Sequence, residues 1–408
     1  MLQGKHILIG ISGGIAAYKI PELIRLIRTE GAEVKVTTTK HALEFVTTLT
    51  LETLSGNKVY SDVFAAINEH QTEHISLPDW ADVMVVAPAT ANVLGKMSGG
   101  IADDALTTTF AAMRKPVVIA PAMNDKMYAQ PTTQHALQQL SQREHTLVMD
   151  CSSGFLACGT TGKGRMQEPE AIVEAIKTVL TAQDMTGRRV MITAGPTQEA
   201  IDPVRYLSNH SSGKMGYALA RACRRHGADV VVISGPVSER MPALELWHGS
   251  PLRIQPVVSA EQMFVAAQEE FAHCDLAILC AAVADFRPEQ YAEQKIKKTP
   301  GQDTLQLSLR TNSDIAQALG ERKQAGQTLV GFALETENEQ TNALQKMGKK
   351  HLDAIVLNSL REPGAGFGGD TNKVTLYTAQ GTKKDIPLMS KEDVAESIIQ
   401  ALLLSQQS

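Results

Sequence analysis

The chain has 408 residues, 43% of them hydrophobic and 20% charged, which is the balance of a globular protein and too long for one ordinary domain. Its formal net charge of −5 and its scattered basic residues argue against nucleic acid or an anionic membrane as a partner. The sequence has no apolar run long enough to span a bilayer, no signal-peptide pattern at its N-terminus and no CxxC pair among its five cysteines, so we expect a cytoplasmic protein with reduced thiols.

The first residues predict a strand, a tight loop and a helix. Residues 7–11 are apolar throughout, as in a strand that is covered on both faces of a parallel sheet. After two glycines the apolar residues fall at helical spacing, so the backbone N–H groups of Ser12, Gly13, Gly14 and Ile15 would lie at a helix N-terminus. Such N–H groups, together with the helix dipole, favour a bound phosphate.

Further apolar runs alternate with helical stretches and predict a doubly wound parallel sheet. In the first half of the chain these runs cover residues 33–37, 81–88, 116–121 and 145–149. The pattern relaxes around residues 181–187, which we interpret as a linker.

The opening pattern repeats at residues 188–195, which predicts a second sheet of the same kind. The predicted fold class is therefore α/β, with two tandem Rossmann-like, doubly wound domains at residues 1–183 and 184–408. The other elements predicted for the second domain are strands at residues 275–280, 328–332 and 353–357, a hairpin of residues 372–378 and 384–388, and a closing helix at residues 390–404 with Ser390 as its N-cap.

The first glycine loop argues against two kinds of nucleotide site. A dinucleotide site requires G-x-G-x-x-G and, about 20 residues later, an acidic residue for a ribose hydroxyl. Here the glycines have a different spacing and residues 37–39 are threonines, and the P-loop pattern GxxxxGK[ST] is absent from the sequence. Two interpretations stay open: an FMN whose phosphate is held by backbone N–H groups and the Ser12 and Thr39 hydroxyls, or a purely structural glycine turn.

Two later segments of the first half contain residues that could take part in proton transfer or cofactor binding. His74 precedes the predicted strand at residues 81–88 and could transfer a proton near neutral pH, or be a structural histidine. The small residues of the run 88–92, with the Asn92 amide, would leave room for a flavin ring and bond its edge, or form a loop and helix cap.

Two more candidates follow along the chain. Asn124 comes at the end of the next predicted strand, and Met127 after it is typical of a hydrophobic core. Cys158 lies in a glycine-rich segment, where we expect an exposed thiol that is reactive only if its surroundings favour the thiolate.

Together these motifs resemble the homo-oligomeric flavin-containing cysteine decarboxylases. The sequence matches that family's Pro-Ala-Ser-Ala-Asn and Pro-x-Met-Asn-x-x-Met-Trp signatures, with Thr90 in place of the serine and Tyr128 in place of the tryptophan. The resemblance implies an FMN-dependent reaction in which a thiol is oxidised, CO2 leaves and the product is reduced again. It assigns His74 to the oxidative decarboxylation, Asn124 to the substrate carboxylate and Cys158 to the final reduction as a proton donor.

The same resemblance implies the remaining contacts of this site. Met127 would contact the substrate, and flavin sites between subunits imply a trimer-based oligomer. FMN would be held by Ser12, Gly13, Gly14, Ile15, Thr39, Pro88, Ala89, Thr90 and Asn92.

The second half carries different motifs. Residues 193–205 and 207–216 are rich in backbone N–H groups and hydroxyls ahead of a predicted helix, and they would bind an anion or only cap the helix. Asp285 follows a buried strand, where its carboxylate could hold a nucleotide or its metal, or cap the next helix. Lys295 belongs to a short basic run, which is either a solvated surface or a source of cations for phosphate transfer.

These motifs resemble the phosphopantothenate–cysteine ligases, and essentially the whole chain resembles the bacterial bifunctional coenzyme A biosynthesis proteins. The resemblance implies that CTP activates 4′-phosphopantothenate as an acyl-cytidylate with release of pyrophosphate, and that cysteine then displaces CMP. The product, 4′-phosphopantothenoyl-cysteine, is the substrate of the N-terminal half, which converts it to 4′-phosphopantetheine. The ligase half would form dimers, so that dimers and trimers together build a dodecamer.

The ligase resemblance also assigns residues. Asn209 would stabilise the acyl-cytidylate, Lys295 would engage the triphosphate, and Asp285 would bind Mg²⁺ or Mn²⁺. Ser313 departs from the usual Asn-Pro-Asp of the nucleotide loop. The other predicted substrate and nucleotide contacts are Arg205, Ala281, Ala282, Val283, Asp285, Asp314, Ile315, Phe332, Lys346 and Lys350.

Two functions of other classes remain as alternatives. A non-catalytic, flavin-binding regulatory protein would share the loops but release no CO2. An NAD(P)-dependent oxidoreductase is disfavoured by the threonines at residues 37–39, where an acidic ribose ligand is expected. Residue spacing alone does not distinguish CTP from ATP.

Overall fold

The computed structural model describes residues 1–64, 73–155, 159, 161–237, 252–297, 304–335, 337–359 and 368–406. It divides into two compact units, the first with the described residues from Met1 to Ala182 and the second with those from Gln183 onward. Within these ranges, no helix has the length and hydropathy needed to cross a membrane. The described cysteines, Cys151, Cys223, Cys274 and Cys280, are free thiols.

The first unit contains strands β1 (His6–Ile11), β2 (Glu33–Thr38), β3 (Val59–Tyr60), β4 (Val83–Ala89), β5 (Val117–Pro121), β6 (Thr146–Val148), β7 (Ser152–Phe155) and β8 (Thr161–Arg165). Its α-helices are α1 (Ile20–Thr29), α2 (Thr48–Ser55), α3 (Glu73–Trp80), α4 (Ala91–Ser98), α5 (Ala105–Ala112), α6 (Asp125–Tyr128), α7 (Pro131–Gln142) and α8 (Pro169–Val179). Two 3-10 turns cover Ile15–Lys19 and Lys40–Glu44.

The first unit is built on a parallel sheet of order β3-β2-β1-β4-β5-β6. Side chains alternate along β1, so Ile7, Ile9 and Ile11 pack under α1 and α8 while Leu8 packs under α3, α4, α5 and α7. Both faces are therefore buried, which confirms the doubly wound sheet predicted from the continuous apolar runs. The carboxyl ends of β1, β2 and β4 meet at one edge of this sheet.

The helix after the glycine loop begins later than the sequence suggests. Gly14 is followed by a 3-10 turn over Ile15–Lys19, and α1 starts at Ile20 with Pro21 in its first turn. Proline is tolerated there because the first N–H groups of a helix have no partner within it. The N–H groups predicted to face a phosphate therefore precede a 3-10 turn, not an α-helix.

The second unit contains strands β9 (Arg189–Ala194), β10 (Gln198–Ala200), β11 (Tyr206–Ser208), β12 (Asp229–Ser234), β13 (Leu252–Pro256), β14 (Leu276–Leu279), β15 (Phe286–Pro288), β16 (Leu309–Thr311), β17 (Thr328–Glu335), β18 (Ala354–Ser359), β19 (Thr371–Thr378) and β20 (Lys383–Ser390). Its helices are α9 (Lys214–Arg225), α10 (Ala260–Phe271), α11 (Ile315–Arg322), α12 (Glu339–Lys349) and α13 (Lys391–Gln406).

The sheet of the second unit has the order β13-β12-β9-β14-β17-β18-β19-β20. The pairs from β13 to β18 are parallel, and β19 and β20 add an antiparallel hairpin at the edge. The predicted hairpin and closing helix are confirmed, since the Ser390 hydroxyl accepts the Asp393 N–H at 3.1 Å. Two further antiparallel pairs, β10–β11 and β15–β16, stand outside the main sheet.

Candidate active sites

Ser12 joins two of the loops at the sheet edge of the first unit. Its hydroxyl donates to the Pro88 carbonyl at 2.6 Å and accepts the Thr90 N–H at 3.0 Å. Its own N–H donates to the same Pro88 carbonyl at 3.3 Å, and the Ala87–Pro88 peptide is cis. Ser12 therefore fixes the relation of the glycine loop to the run 88–92, and its N–H is already used within the protein.

The neighbouring cavity, about 580 Å³, has the character of a phosphate site. Ser12, Gly13 and Thr39 line it, and a Cβ on Gly13 would meet the Cβ of His41 at 2.5 Å, so only glycine fits this close approach. The Thr39 side chain is 6% exposed, and its hydroxyl has no hydrogen-bond partner among the described residues. Because leaving a buried hydroxyl unpaired costs about 1–3 kcal/mol, a ligand oxygen at this point would stabilise the loop.

A second, mainly apolar cavity of about 800 Å³ adjoins the first and shares Gly13, Thr90 and Asn92 with it. Asn124 and Met127 line this cavity, and Asn124 is the N-cap of α6, where its Oδ1 accepts the Lys126 N–H at 2.9 Å. The structure therefore brings together the predicted residues of the glycine loop, the run 88–92 and the Asn124 segment. Other residues that line this cavity are Gly14, Ile15, Tyr18, Lys19, Phe155 and Arg165.

The hairpin β7–β8 is packed tightly on the Asn124 segment. The Met123 N–H donates to the Gly164 carbonyl at 2.9 Å, and a Cβ on Gly164 would lie less than 3.0 Å from the Met123 carbonyl oxygen. The Tyr128 hydroxyl donates to Asp150 at 2.6 Å, and Lys163 pairs with the other oxygen of that carboxylate at 2.7 Å. Burial and the Asp150 carboxylate raise the pKa of Tyr128. Sequence reasoning missed this network, whose members come from three separate segments.

Of the other two predicted catalytic residues of the first unit, His74 is among the described residues and Cys158 is not. His74 lies in α3, partly buried, and among the described residues it lines neither cavity. Cys158 lies between β7 and β8, outside the described residues. Within one chain, the structure therefore assembles the predicted cofactor loops and Asn124 but does not bring His74 to them.

In the second unit, Asn209 contacts the loop after β14. Its amide donates to the Ala282 carbonyl at 3.1 Å and to the Val283 carbonyl at 3.2 Å. The Thr197 N–H also donates to the Ala282 carbonyl, at 3.3 Å, and the Thr197 hydroxyl accepts the Ala284 N–H at 3.0 Å. The loops after β9 and β14 are thus joined, and Asn209 lies beside the predicted contacts Ala281, Ala282 and Val283.

A small cavity of about 140 Å³ opens between these loops and α9. Phe332 and Ala281 line it together with the backbone of residues 211–216, and Gly213 (φ +79°) is the N-cap of α9. Cys280 also lines it, and burial raises the pKa of this thiol to about 12, so the thiol stays protonated at neutral pH.

Two lysines of this cavity were not predicted as site residues. Lys214 pairs with Asp370 at 2.8 Å, and Lys391, 7% exposed, donates to the Gly369 carbonyl at 2.5 Å. Lys214 lies in the segment 207–216, which was predicted to bind an anion through its backbone N–H groups and hydroxyls and not through this side chain. Lys391 comes from the start of α13, and no local pattern marks it.

Of the remaining predicted nucleotide contacts, the two lysines form ion pairs with carboxylates and Ile315 is part of the core. Lys350 pairs with Asp314 at 2.8 Å and Lys346 with Glu335 at 2.6 Å. Burial opposes ionisation of Asp314, but the Lys350 ammonium and the N–H groups of Gln317 and Ala316 together outweigh it and lower the pKa of this carboxyl group. The Ile315 side chain is buried in the core, so only its backbone is available to a ligand.

Asp285 is the only one of the predicted residues that was assigned to a metal. Its side chain is exposed, and its carbonyl accepts the Asn312 N–H at 2.8 Å, which places the nucleotide loop beside it. Among the described residues, no group of three or more His, Cys, Asp or Glu side chains could hold a metal ion. A magnesium site here would therefore need the phosphates of a substrate as ligands, as is common for Mg²⁺.

Comparisons with known proteins cover both units. The Flavoprotein family model matches residues 1–181, and the model for the DNA/pantothenate metabolism flavoprotein C-terminal domain matches residues 185–404. The coenzyme A biosynthesis bifunctional protein CoaBC of Bacillus subtilis (strain 168) is 45% identical over 412 residues, covering 100% of this chain and 99% of its own.

Two other relatives span most of the chain. The protein of the same name from Haemophilus influenzae is 44% identical over 403 residues, with 98% of each chain covered. A cysteine/cysteine sulfinic acid decarboxylase from an unknown prokaryotic organism is 45% identical over 363 residues, covering 88% of this chain and 99% of its own.

Proposed function

Since the chain belongs to the family of bifunctional coenzyme A biosynthesis proteins, we propose that it converts 4′-phosphopantothenate, cysteine and CTP into 4′-phosphopantetheine in two successive steps. It is an enzyme with a phosphopantothenate–cysteine ligase half and a flavoprotein phosphopantothenoylcysteine decarboxylase half. The proposal for this chain's residues is supported by two observations: the glycine loop, the run 88–92 and Asn124 line two adjoining cavities of the first unit, and Ala281, Ala282 and Phe332 line a cavity of the second.

In the decarboxylase half, the residues present fit FMN. The unpaired Thr39 hydroxyl and the close approach at Gly13 suit the phosphate, and the apolar cavity beside Thr90 and Asn92 suits the ring. When bound, FMN supplies reversible two-electron transfer to and from the substrate thiol. The Asn124 amide would donate to the substrate carboxylate, and the apolar cavity would exclude water around it. Cys158 would supply the final proton.

We infer that a homo-oligomer completes the decarboxylase site. His74 lies away from the cavities of its own chain, and Tyr18 and Phe155, which line the apolar cavity, are 62% and 70% exposed. A neighbouring chain would cover these apolar surfaces and bring its own His74 to the cavity. In a trimer of flavoprotein halves, each cavity would have such a neighbouring chain. In the ligase half, Tyr206, Phe286 and Tyr291 are exposed and would pair with those of a second ligase half, and trimers and dimers together give a dodecamer.

In the ligase half, the lysines of the cavity would bind the triphosphate. Lys295 would add a cation from an exposed segment, and Asp285 would hold Mg²⁺ jointly with the phosphates. Asn209 is fixed against the Ala282 and Val283 carbonyls, so its position is set before substrate binds. Arg205 lies in the loop between β10 and β11, and Asn209 directly follows β11, so we propose that Arg205 contacts the same substrate.

The test of the proposal is an assay of the full-length protein. We expect yellow protein that forms 4′-phosphopantetheine from 4′-phosphopantothenate, cysteine and CTP, with ATP as the comparison nucleotide and mass spectrometry as the readout. Free cysteine and cysteine sulfinate are also assayed as substrates, because one relative is named for these compounds. Colourless protein that takes up no flavin, or CO2 release from free cysteine without ligation, would refute the proposal.

We expect Asn209→Asp to reduce ligation about 10²-fold, with little change in the KM for CTP. The substitution replaces a donor by a carboxylate that faces two carbonyl oxygens and an incoming phosphate. Steady-state kinetics with CTP and cysteine measures the effect. Asn338→Asp, at the start of α12, introduces the same chemical change elsewhere in the ligase half and should leave ligation unaltered. Equal activity of the two variants would remove Asn209 from the mechanism.

A further inference from the structure

Asp202 is a buried carboxylate that no predicted role uses. It follows β10 and is 2% exposed. One of its oxygens accepts the N–H groups of Val204 at 2.8 Å and Arg205 at 2.9 Å, and the other accepts the Ile296 N–H at 3.1 Å. Burial opposes its ionisation, but these N–H groups outweigh the burial and lower the pKa of the Asp202 carboxyl group. The side chain is therefore a charged acceptor with a defined set of donors.

The third donor is remote in sequence and lies next to a predicted catalytic residue. Ile296 is separated from Asp202 by 94 positions and follows Lys295 directly. Two further bonds join the same two segments: the Arg205 guanidinium donates to the Ile296 carbonyl at 3.1 Å, and the Ala292 N–H donates to the Ile201 carbonyl at 3.0 Å. We call residues 292–297 the basic segment, and these three bonds fix it to the loop between β10 and β11.

The same loop leads to the other catalytic candidate of the ligase half. Strand β11 follows it and ends at Ser208, directly before Asn209, whose amide is bonded to the Ala282 and Val283 carbonyls. One short hairpin therefore sets the positions of both Asn209 and the basic segment. A hydrogen bond to a charged acceptor, such as that from the Ile296 N–H to the Asp202 carboxylate, is stronger than a neutral one and holds the Ile296 backbone in a single place.

We propose that Asp202 is a positioning residue that holds the basic segment so that Lys295 meets the nucleotide triphosphate. The proposal rests on the CTP-dependent ligase activity proposed above. The Lys295 side chain is exposed and extends from a segment that has few other anchors among the described residues, so the backbone bond at Ile296 restricts where its ammonium can reach.

Glu199 provides a matched control in the same hairpin. It is 3% exposed and its carboxylate accepts the Ala260 N–H at 2.8 Å, so it joins β10 to α10 and not to the basic segment. Glu199→Gln and Asp202→Asn each neutralise one buried carboxylate of this hairpin. Only the second weakens the link to Ile296.

The experiment compares Asp202→Asn, Glu199→Gln and the parent as full-length proteins. We expect Asp202→Asn to raise the KM for CTP about tenfold, with an unchanged KM for cysteine, and to speed limited tryptic cleavage after Lys295 and Lys297 by a similar factor. Glu199→Gln should match the parent in both measurements. Parental KM and cleavage rate in Asp202→Asn, or equal changes in both variants, would overturn the proposal.

A second variant serves if Asp202→Asn does not fold. Ile296→Pro removes the N–H that the carboxylate accepts and leaves Asp202 and its local donors in place. We expect it to reproduce the higher KM for CTP and the faster cleavage after Lys297, whereas the bond after Lys295, which then precedes a proline, resists trypsin. Parental values of the KM and of cleavage after Lys297 would count against the proposal. The cleavage measurement needs no activity, so a parent without CTP-dependent ligation would contradict the proposed function while the anchoring of the basic segment is still tested.

Discussion

Replacing Gly164 with alanine should reduce decarboxylation of 4′-phosphopantothenoyl-cysteine about 10²-fold while ligation continues at the parental rate. The added methyl group would lie less than 3.0 Å from the Met123 carbonyl oxygen, a backbone atom that cannot rotate away. Strand β8 would have to move off the segment that carries Asn124, and the Met123 N–H bond to the Gly164 carbonyl would lengthen. Release of CO2, measured beside CTP-dependent ligation in the same preparation, separates the two halves.

Gly95→Ala is the matched substitution in the same unit. An added Cβ at this position in α4 meets no heavy atom within 4 Å, and alanine favours a helix, so we expect parental decarboxylation. Flavin content should be measured for both variants, because loss of activity with retained flavin would place the effect at the substrate side of the cavity. Full activity of Gly164→Ala would mean that the β7–β8 hairpin has no part in placing Asn124.

Glu396→Ala should lower the free energy of unfolding of the second unit by about 1–3 kcal/mol, because it removes one of the carboxylates that pair with two buried cationic groups. Glu396 lies 2.8 Å from Nε2 of His226 and 3.7 Å from Nε of Arg225, whose side chain is 0% exposed. The other ring nitrogen of His226 lies 2.6 Å from Asp184. Hydrogen exchange of α9 and α13 in the intact chain, followed in increasing urea, measures the loss for this unit alone.

The same cluster gives the stability a pH dependence with a defined sign. Burial opposes charging of His226, but Glu396 and Asp184 outweigh it and raise the pKa of the imidazole above 6.5. Burial opposes ionisation of Glu396, but His226, Arg225 and Gln400 together outweigh it and lower the pKa of this carboxyl group from 4.5. The stabilisation by this pair is therefore fully present between pH 4.5 and 6.5, is lost at higher pH as His226 deprotonates, and is lost at lower pH as Glu396 protonates.

The variants should differ in this dependence as well. Glu396→Ala is expected to flatten the stability profile on both sides of the plateau, whereas Glu321→Ala, which removes an exposed glutamate of α11, should keep the parental profile and cost less than about 0.5 kcal/mol. A parental profile in Glu396→Ala would show that the charges of this cluster do not control the stability of the second unit.

The main strands and the glycine-rich loops could be predicted because their signals are local. A strand buried on both faces of a parallel sheet, such as β1 or β4, is a continuous apolar run, and the loop at its carboxyl end follows directly in the sequence. The short pairs β10–β11 and β15–β16 were not predicted, since three residues are too few to show an alternating pattern. The 3-10 turn at Ile15–Lys19 was also missed, because a 3-10 turn and the first turn of an α-helix have the same apolar spacing.

The site residues divide in the same way. Gly13, Asn124 and Asn209 stand in motifs, so the sequence predicted them as site residues, and the family resemblance of those motifs implied the two reactions. The Thr39 hydroxyl was predicted from the sequence, and the folded chain adds that it has no partner among the described residues. The carboxylate of Asp202 and the cation of Lys391 acquired significance only in the folded chain. Whether a buried polar group has a partner depends on segments that the sheet topology brings together. Asp202 and Ile296 are 94 positions apart, and no local pattern of residue types records such a contact.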